Sequence, residues 1–472
     1  MFRIFKLLIL LILFFIVVKF PFVPTRNKSK IVLKLIKMGG VAFVKMGQSM
    51  AVRSDIVGEY YANELKSLQD NMKSFSYNKF HSIVKKNLEK PTSEVFKEID
   101  KKPIGCASIA QVHKGILLNG DKVAIKVLRP NIRKTFFKDI KLFYKLAIII
   151  EFINPKFKRL RFFDVVSEMH RWVNSELSLY KESNNARKLY NNFHKVDKYQ
   201  GDFFKVPKIY DEYSTDDIMV IEWVDGIRID DINSYEKNGL KGKDILQKSA
   251  TVFFLQVFRD GFFHADMHPG NMFIDKEANL RPIDFGIMGI LDKKTRIFIA
   301  DILYYLMEQD YRAVSDVHFK AGYIPTTYGI DEFAVEIEKI DKSVRSKGNI
   351  ADISMGDLLG QLFATTERFQ MRTRPELLLL QKTIIVAEGV GRIIAPKENM
   401  WDLIADLIEE WFKVNRGLWA KVEDVLSSEL KHNNVSSRNV EIELMDKSSV
   451  KKSIFFDIFM LFILISIIFY VI

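Results

Sequence analysis

The spacing of apolar positions changes character several times along the chain. Leu7 to Val18 is an unbroken apolar run of twelve residues, a length that fits a short membrane helix or a signal-peptide core. Phe20, Pro21, Phe22, Val23 and Pro24 follow it without a small-x-small cleavage site, so a retained anchor is expected. From about Lys30 to Leu88 the pattern is helical. Ile104 to Leu128 alternates with a period of two and is rich in β-branched residues, which predicts strands. Helical spacing returns as far as Phe193. Ile218 to Trp223 reads as a further strand, His264 to Phe285 as loops and short strands, and the remainder as helix. Strands followed by a mostly helical half predict a two-lobed α+β fold. Ile454 to Ile472 is nineteen residues, apolar but for Asp457 and Ser466, and as a helix it reaches about 28 Å, enough to span a hydrocarbon core.

These transitions suggest the following organisation: an anchor over 1–22, a helical extension over 30–100, an N-lobe with inserted helices over 101–225, a helical C-lobe over 226–440, a linker over 441–453 and a transmembrane helix over 454–472. Lys and Arg placement orients the ends. Arg26, Lys28, Lys30, Lys34 and Lys37 follow the first apolar run, against Arg3 and Lys6 before it. Lys447, Lys451 and Lys452 precede the last run and no basic residue follows it. Both comparisons put the body on the cytoplasmic side of a bacterial-type inner membrane, with the lipid bilayer as a partner. With 71 basic and 59 acidic residues the net charge is +12. No Arg-rich tract is interleaved with aromatics, so nucleic acid is not an expected partner. Cys106 is the single cysteine, and no internal disulfide can form.

The chemistry concentrates in His264-Ala265-Asp266-Met267-His268-Pro269-Gly270-Asn271, followed by Asp284-Phe285-Gly286. Phosphoryl transfer needs a carboxylate to orient the attacking hydroxyl, and an amide oxygen and second carboxylate to hold Mg²⁺ against the phosphates. Asp266, Asn271 and Asp284 have those types at the spacing of the kinase catalytic loop and D-F-G. An H-x-D-x-H metal-hydrolase cluster is the competing reading, and it lacks downstream ligands, since only His318 and His432 follow. Upstream, Lys122-Val123-Ala124-Ile125-Lys126-Val127 reads as a strand. A lysine inside it is costly unless paired, so Lys126 is the expected ligand of the ATP phosphates, with Glu176 or Glu182 as its partner. The glycine-rich phosphate loop is replaced by small residues, Gly105, Cys106, Ala107 and Ser108, which still let backbone approach phosphate. Ile218 to Gly226, with Glu222, reads as strand and hinge beside which an adenine would sit.

Phe43-Val44-Lys45-Met46-Gly47-Gln48, with Arg53, Asp55 and Leu68-Gln69-Asp70, resembles the K-x-G-Q extension of the UbiB-type atypical kinase-like family, which is linked to ubiquinone biosynthesis and isoprenoid-lipid metabolism. Ala107 to His113 and the late helix Arg374-Pro375-Glu376-Leu377-Leu378, leading to Glu388-Gly389-Val390, match it too. The resemblance implies a two-lobed kinase-like fold in which helices carrying Lys45 and Gln48 cross the cleft. That arrangement disfavours phosphorylation of a protein in trans and favours ATPase activity or a small or lipid substrate. It also implies a Lys126–Glu182 pair, Asp266 at the catalytic position, Asn271 and Asp284 on Mg²⁺, and a quinone or isoprenoid lipid and biosynthetic enzymes as partners. Two other readings stand beside it, a small-molecule phosphotransferase of the aminoglycoside or choline type and a nucleotide-binding scaffold. The sequence departs from the family at Ser178, where Glu176-Leu177-Ser178 replaces an E-x-D pair, and at Gly105 and Cys106, which open an otherwise alanine-rich loop.

Overall fold

A computed structural model describes residues 25–40, 43, 44, 47, 59–68, 74–153, 162–194, 203–325, 327–345, 361, 365, 368–371, 374–398 and scattered positions between 403 and 413. Lys45, Gln48 and both apolar terminal runs lie outside them. Among the described residues no helix is long and apolar enough to cross a membrane. Contacts divide the chain into two units, residues 1–136 with 170–417, and residues 137–169 with 418–472.

The first unit holds the sheet that the period-two segment predicts. Strands β1 (Phe96–Ile99), β2 (Gly105–Cys106), β3 (Ala110–Leu117), β4 (Lys122–Leu128) and β5 (Ile218–Glu222) form a five-stranded sheet in the order β1-β3-β4-β5, with β2 beside β3. All its pairings are antiparallel. Alternation along β4 separates two faces. Val123, Ile125 and Val127 are fully buried and pack with Phe80 and Val84, one turn apart on the helix Tyr77–Asn87. Lys126 therefore points to the opposite face, where the cleft opens.

Four further helices position the site. We label them α1 (Leu179–Phe193), α2 (Gly242–Phe254), α3 (Lys293–Met307) and α4 (Pro375–Ile394). On α1, Leu179, Glu182, Ser183, Ala186 and Leu189 form one buried stripe at helical spacing, and it lies against β5. Helix α2 continues into a π-helical turn, Leu255–Asp260, that ends at Gly261 in the left-handed region (φ 61°). Strand β6 (Ile227–Arg228) pairs with β8 (Met272–Ile274), which pairs with β9 (Leu280–Pro282); β7 (Phe262–His264) pairs with β10 (Met288–Ile290). In that last pair Gly289 faces Phe263, and a Cβ there would lie 2.0 Å from the ring, so only glycine permits the approach. Helix α4 packs against α2 and β10. The helices Thr25–Gly39 and Glu59–Lys66 pack together, and a Cβ on Gly47 would come within 2.5 Å of Leu68.

In the second unit the described residues lie in the helices Ile132–Ile153 and Phe162–Glu176, which extend beyond it. There the Tyr144 and Phe163 rings are 5.0 Å apart and the Tyr144 hydroxyl meets Ser167 Oγ at 3.2 Å.

Three strands, β1, β6 and β10, were not expected from the pattern. Each is two to four residues long, too short for alternation to show.

Candidate active site

Three charged groups meet where the sheet faces α1. Lys126 Nζ lies 2.6 Å from Glu182 Oε1 and 3.2 Å from Asp284 Oδ2. The lysine and Glu182 are buried, whereas the Asp284 side chain keeps 41% exposure and opens onto the cleft. Burial alone would lower the Lys126 pKa, but the two carboxylates outweigh it and hold the ammonium above its usual value. Burial pushes Glu182 up. For Asp284 burial acts upward too, yet Lys126 and the Gly286 N–H outweigh it and hold the carboxyl down at about 2. Asp284 is thus a carboxylate at neutral pH.

Helix α1 also fixes the backbone of Asp284-Phe285-Gly286. The Phe285 N–H donates to Glu182 Oε1 (3.3 Å), and Asn185 Nδ2 donates to the Phe285 carbonyl (2.9 Å). Phe285 itself is fully buried. Of the two candidate partners, Glu182 takes the lysine and Glu176 does not.

Asp266 follows β7. His264 Nε2 donates to the Asp284 carbonyl at 2.5 Å, and its Nδ1 accepts from the Asp266 N–H at 3.2 Å, so one imidazole ties the two loops together. The His264 N–H in turn donates to Gln256 Oε1 (2.8 Å), a fully buried amide on the π-helical turn. Asn271 closes a single 3-10 turn, Pro269–Asn271, which His268 caps by accepting the Gly270 N–H at 3.1 Å. Its Nδ2 donates to Asp266 Oδ2 (3.3 Å). Its carbonyl accepts the Ile283 N–H (3.0 Å), which sets Asn271 beside the residue preceding Asp284. On the remaining side, Lys382 Nζ of α4 stands 3.9 Å from Asp266 Oδ1.

The small-residue loop is the β2–β3 hairpin, with Cys106 opposite Gln111. Ala107 is exposed and its carbonyl accepts from Arg129 Nη2 (2.9 Å) and Nε (3.2 Å), while Ser108 is buried. Gly105 lies in strand geometry, and a Cβ there would touch nothing within 4 Å. No steric reason requires a glycine at that position. Gln111 and His113 are fully buried. Gln111 accepts the Phe75 N–H (2.9 Å) and donates to the Phe75 carbonyl (3.2 Å), so the hairpin grips the segment before Tyr77–Asn87. The Glu222 carboxylate is occupied by Arg281 (2.8 Å) and by the Lys208 N–H (3.0 Å), and the Glu222 N–H donates to the Lys208 carbonyl (2.8 Å).

At Ser178, where the sequence pattern lacks its acid, a carboxylate from another part of the chain stands alongside. Ser178 Oγ donates to Asp216 Oδ1 at 2.5 Å and accepts the Lys181 N–H at 3.2 Å as the N-cap of α1.

Of the residues expected from sequence, Lys126, Glu182, Asp266, Asn271 and Asp284 come together, Gly105, Ala107 and Ser108 form the hairpin, and Glu222 ends β5. Lys382, Gln256, Asn185 and Asp216 were not expected. The first two carried a faint signal, a single lysine beside Gln381 and Thr383 between the apolar stretches Leu377–Leu380 and Ile384–Val386, and a lone amide inside Val252 to Phe258. Asn185 and Asp216 carried none.

A buried lysine–glutamate pair, a D-F-G carboxylate and an aspartate–asparagine loop on a two-lobed α+β scaffold define a kinase-like enzyme of the phosphotransferase class. Residues 67–318 match the family described as the ABC1 atypical kinase-like domain, and residues 343–399 match the UbiB helical domain. The chain belongs to this UbiB-type atypical kinase family. It is 36% identical over 402 residues, 84% of this chain and 72% of the relative, to a protein of Marinobacter nauticus called "Probable protein kinase UbiB". The solved complex of Rv3197 with erythromycin from Mycobacterium tuberculosis shares the fold, with a TM-score of 0.54 at 22% identity over 81% of this chain and 95% of that one.

Proposed function

We propose that the protein is a membrane-anchored ATPase or phosphotransferase that binds Mg-ATP in this cleft, at the cytoplasmic face of a bacterial-type inner membrane, and supports ubiquinone or related prenyl-lipid synthesis. The observation that carries the reading is the convergence of Lys126, Glu182 and Asp284 beside Asp266 and Asn271.

The donor set fits the cofactor. Among the described residues no group of three or more His, Cys, Asp or Glu could hold a metal by itself. Mg²⁺ commonly takes only one or two protein oxygens and completes its shell with phosphate and water. Asn271 and Asp284 would supply those oxygens, and the metal, when bound, would neutralise charge on the phosphates. Lys126 would bind the phosphates, with Glu182 holding its ammonium in place. Asp266 would orient the attacking oxygen and accept its proton. The hairpin of Gly105, Ala107 and Ser108 would cover the phosphates through backbone N–H groups.

The terminal apolar runs and the basic residues flanking them support the anchoring. The prenyl-lipid role rests on the family resemblance.

The test separates binding from turnover. Asp284→Asn should abolish Mg-dependent ATP binding, measured by titration calorimetry. Asp266→Asn should keep the affinity and lower turnover by about 100-fold or more, because orienting a nucleophile is a transition-state task. Unchanged Mg-ATP affinity in Asp284→Asn sinks the site.

A further inference from the structure

Asp266 is approached from two sides. Asn271 belongs to its own loop, whereas Lys382 arrives from the middle of α4 and stands 3.9 Å from Oδ1. That separation is within ion-pair range and too long for a hydrogen bond. Lys382 keeps 29% side-chain exposure and Asp266 33%, so the ammonium is held beside the carboxylate without being locked to it.

Nothing else in the loop supplies that charge. His268 spends Nδ1 as acceptor of the Gly270 N–H, and Lys126 is engaged by Glu182 and Asp284. The other basic residue of α4, Arg392, pairs with Glu388 one turn away. Among the described residues Lys382 is the cation paired with Asp266.

We propose that Lys382 is a catalytic residue of the phosphoryl-transfer site and contacts the transferring group. The proposal rests on the Mg-ATP reading above. In the transfer, the bond from the γ-phosphorus to the ADP oxygen breaks, leaving its electron pair on ADP. A bond from the acceptor oxygen to that phosphorus forms, and the acceptor's proton passes to Asp266. Charge spreads over the equatorial phosphoryl oxygens as this happens. The same proton transfer neutralises Asp266, so its hold on Lys382 ends as charge builds nearby. A four-carbon stem with a rotatable ammonium can follow that shift. Helix α4 thereby completes a site otherwise built from α1 and from the strands and loops before it.

The test uses the full chain and three measurements: affinity for Mg-ATP, affinity for Mg-ADP with aluminium fluoride as a planar mimic of the transferring group, and turnover. Lys382→Gln removes the charge at similar length, Lys382→Met does so with an apolar end, and Lys382→Arg keeps it; thermal melts confirm folding in each. In whichever neutral variant is folded, Mg-ATP affinity should stay within about twofold, while affinity for the mimic and turnover should each fall about 100-fold, the scale of losing one preorganised donor to developing charge. Lys382→Arg should recover part of both losses. Wild-type affinity for the mimic in a folded neutral variant overturns the proposal, as does equal weakening of Mg-ATP and the mimic, which would mark Lys382 as structural. A wild-type chain that fails to bind Mg-ATP overturns the underlying reading instead.

Discussion

At the scale of single residues, the energetics turn on one lysine between two acids. Lys126 is desolvated, and its charge is sustained only by Glu182 and Asp284. Removing one partner of such a buried pair leaves an uncompensated charge, which costs more than the pair's net worth. Lys126→Met should therefore destabilise the first unit by about 3 kcal/mol in chemical denaturation, and adding Glu182→Gln should recover much of that loss. Asp284 sets the acid limb. Its pKa is depressed from 3.8 to about 2, so its contribution is full above the unfolded value and is lost as pH falls through about 2. Between those two values wild-type stability should fall more steeply than that of Asp284→Asn. Lys126, Asp266, Asn271 and Asp284 were legible in the sequence because phosphoryl transfer fixes both residue types and spacing. Lys382 and Asp216 were not, because chain returns that no local pattern encodes bring them in.

At the scale of elements, one close contact decides whether the catalytic loop is presented correctly. The β7–β10 strand pair carries His264, and Gly289 lets it close on Phe263. Gly289→Ala puts a methyl group 2.0 Å from the ring. It should cost about 3 kcal/mol, at the upper end of overpacking penalties, and should lower turnover beyond any loss of folded protein. Elsewhere His318 is buried against Phe333 and Tyr323, with Nδ1 donating to the Val314 carbonyl. Burial lowers its pKa from 6.5 to about 4. The unfolded chain binds the extra proton first, so stability is full above 6.5 and declines as pH falls towards about 4. Denaturation midpoints at pH 7 and 5 should differ, and less so in His318→Gln. The strands around Lys126 and the helices were readable from period and β-branching. The π-helical turn at Leu255–Asp260 was not, since its residues continue the apolar pattern of α2.

At the scale of the whole molecule, the two lobes are joined through Glu222 and Arg281, which link β5 of the sheet to β9 of the helical half at 2.8 Å. Arg281 is mostly buried, and truncating it leaves the Glu222 carboxylate with the Lys208 N–H but without its cation. Arg281→Ala should weaken Mg-ATP binding several-fold if adenine lies beside the end of β5, which fluorescent-nucleotide titration would show. The terminal runs belong to this scale as well. Deleting residues 453–472 should shift the protein from the membrane to the soluble fraction unless 1–22 suffices, and the double deletion should be soluble. The two-lobed α+β plan was legible from the order of strands and helices alone. The way α4 returns to Asp266 depends on the packed molecule.

Ser178 carries a warning for anyone who would repair the sequence by consensus. The position looks as though it has lost its acid, and Ser178→Asp would appear to restore it. Asp216 already presents its carboxylate 2.5 Å from the serine oxygen, so the reversion would set two anions face to face at the start of α1. The restored variant should melt below the wild type, and changing Asp216 to Asn in the same chain should bring it back. A position can lack an acid in the text and still have one beside it in space, and mending the text would then damage the protein.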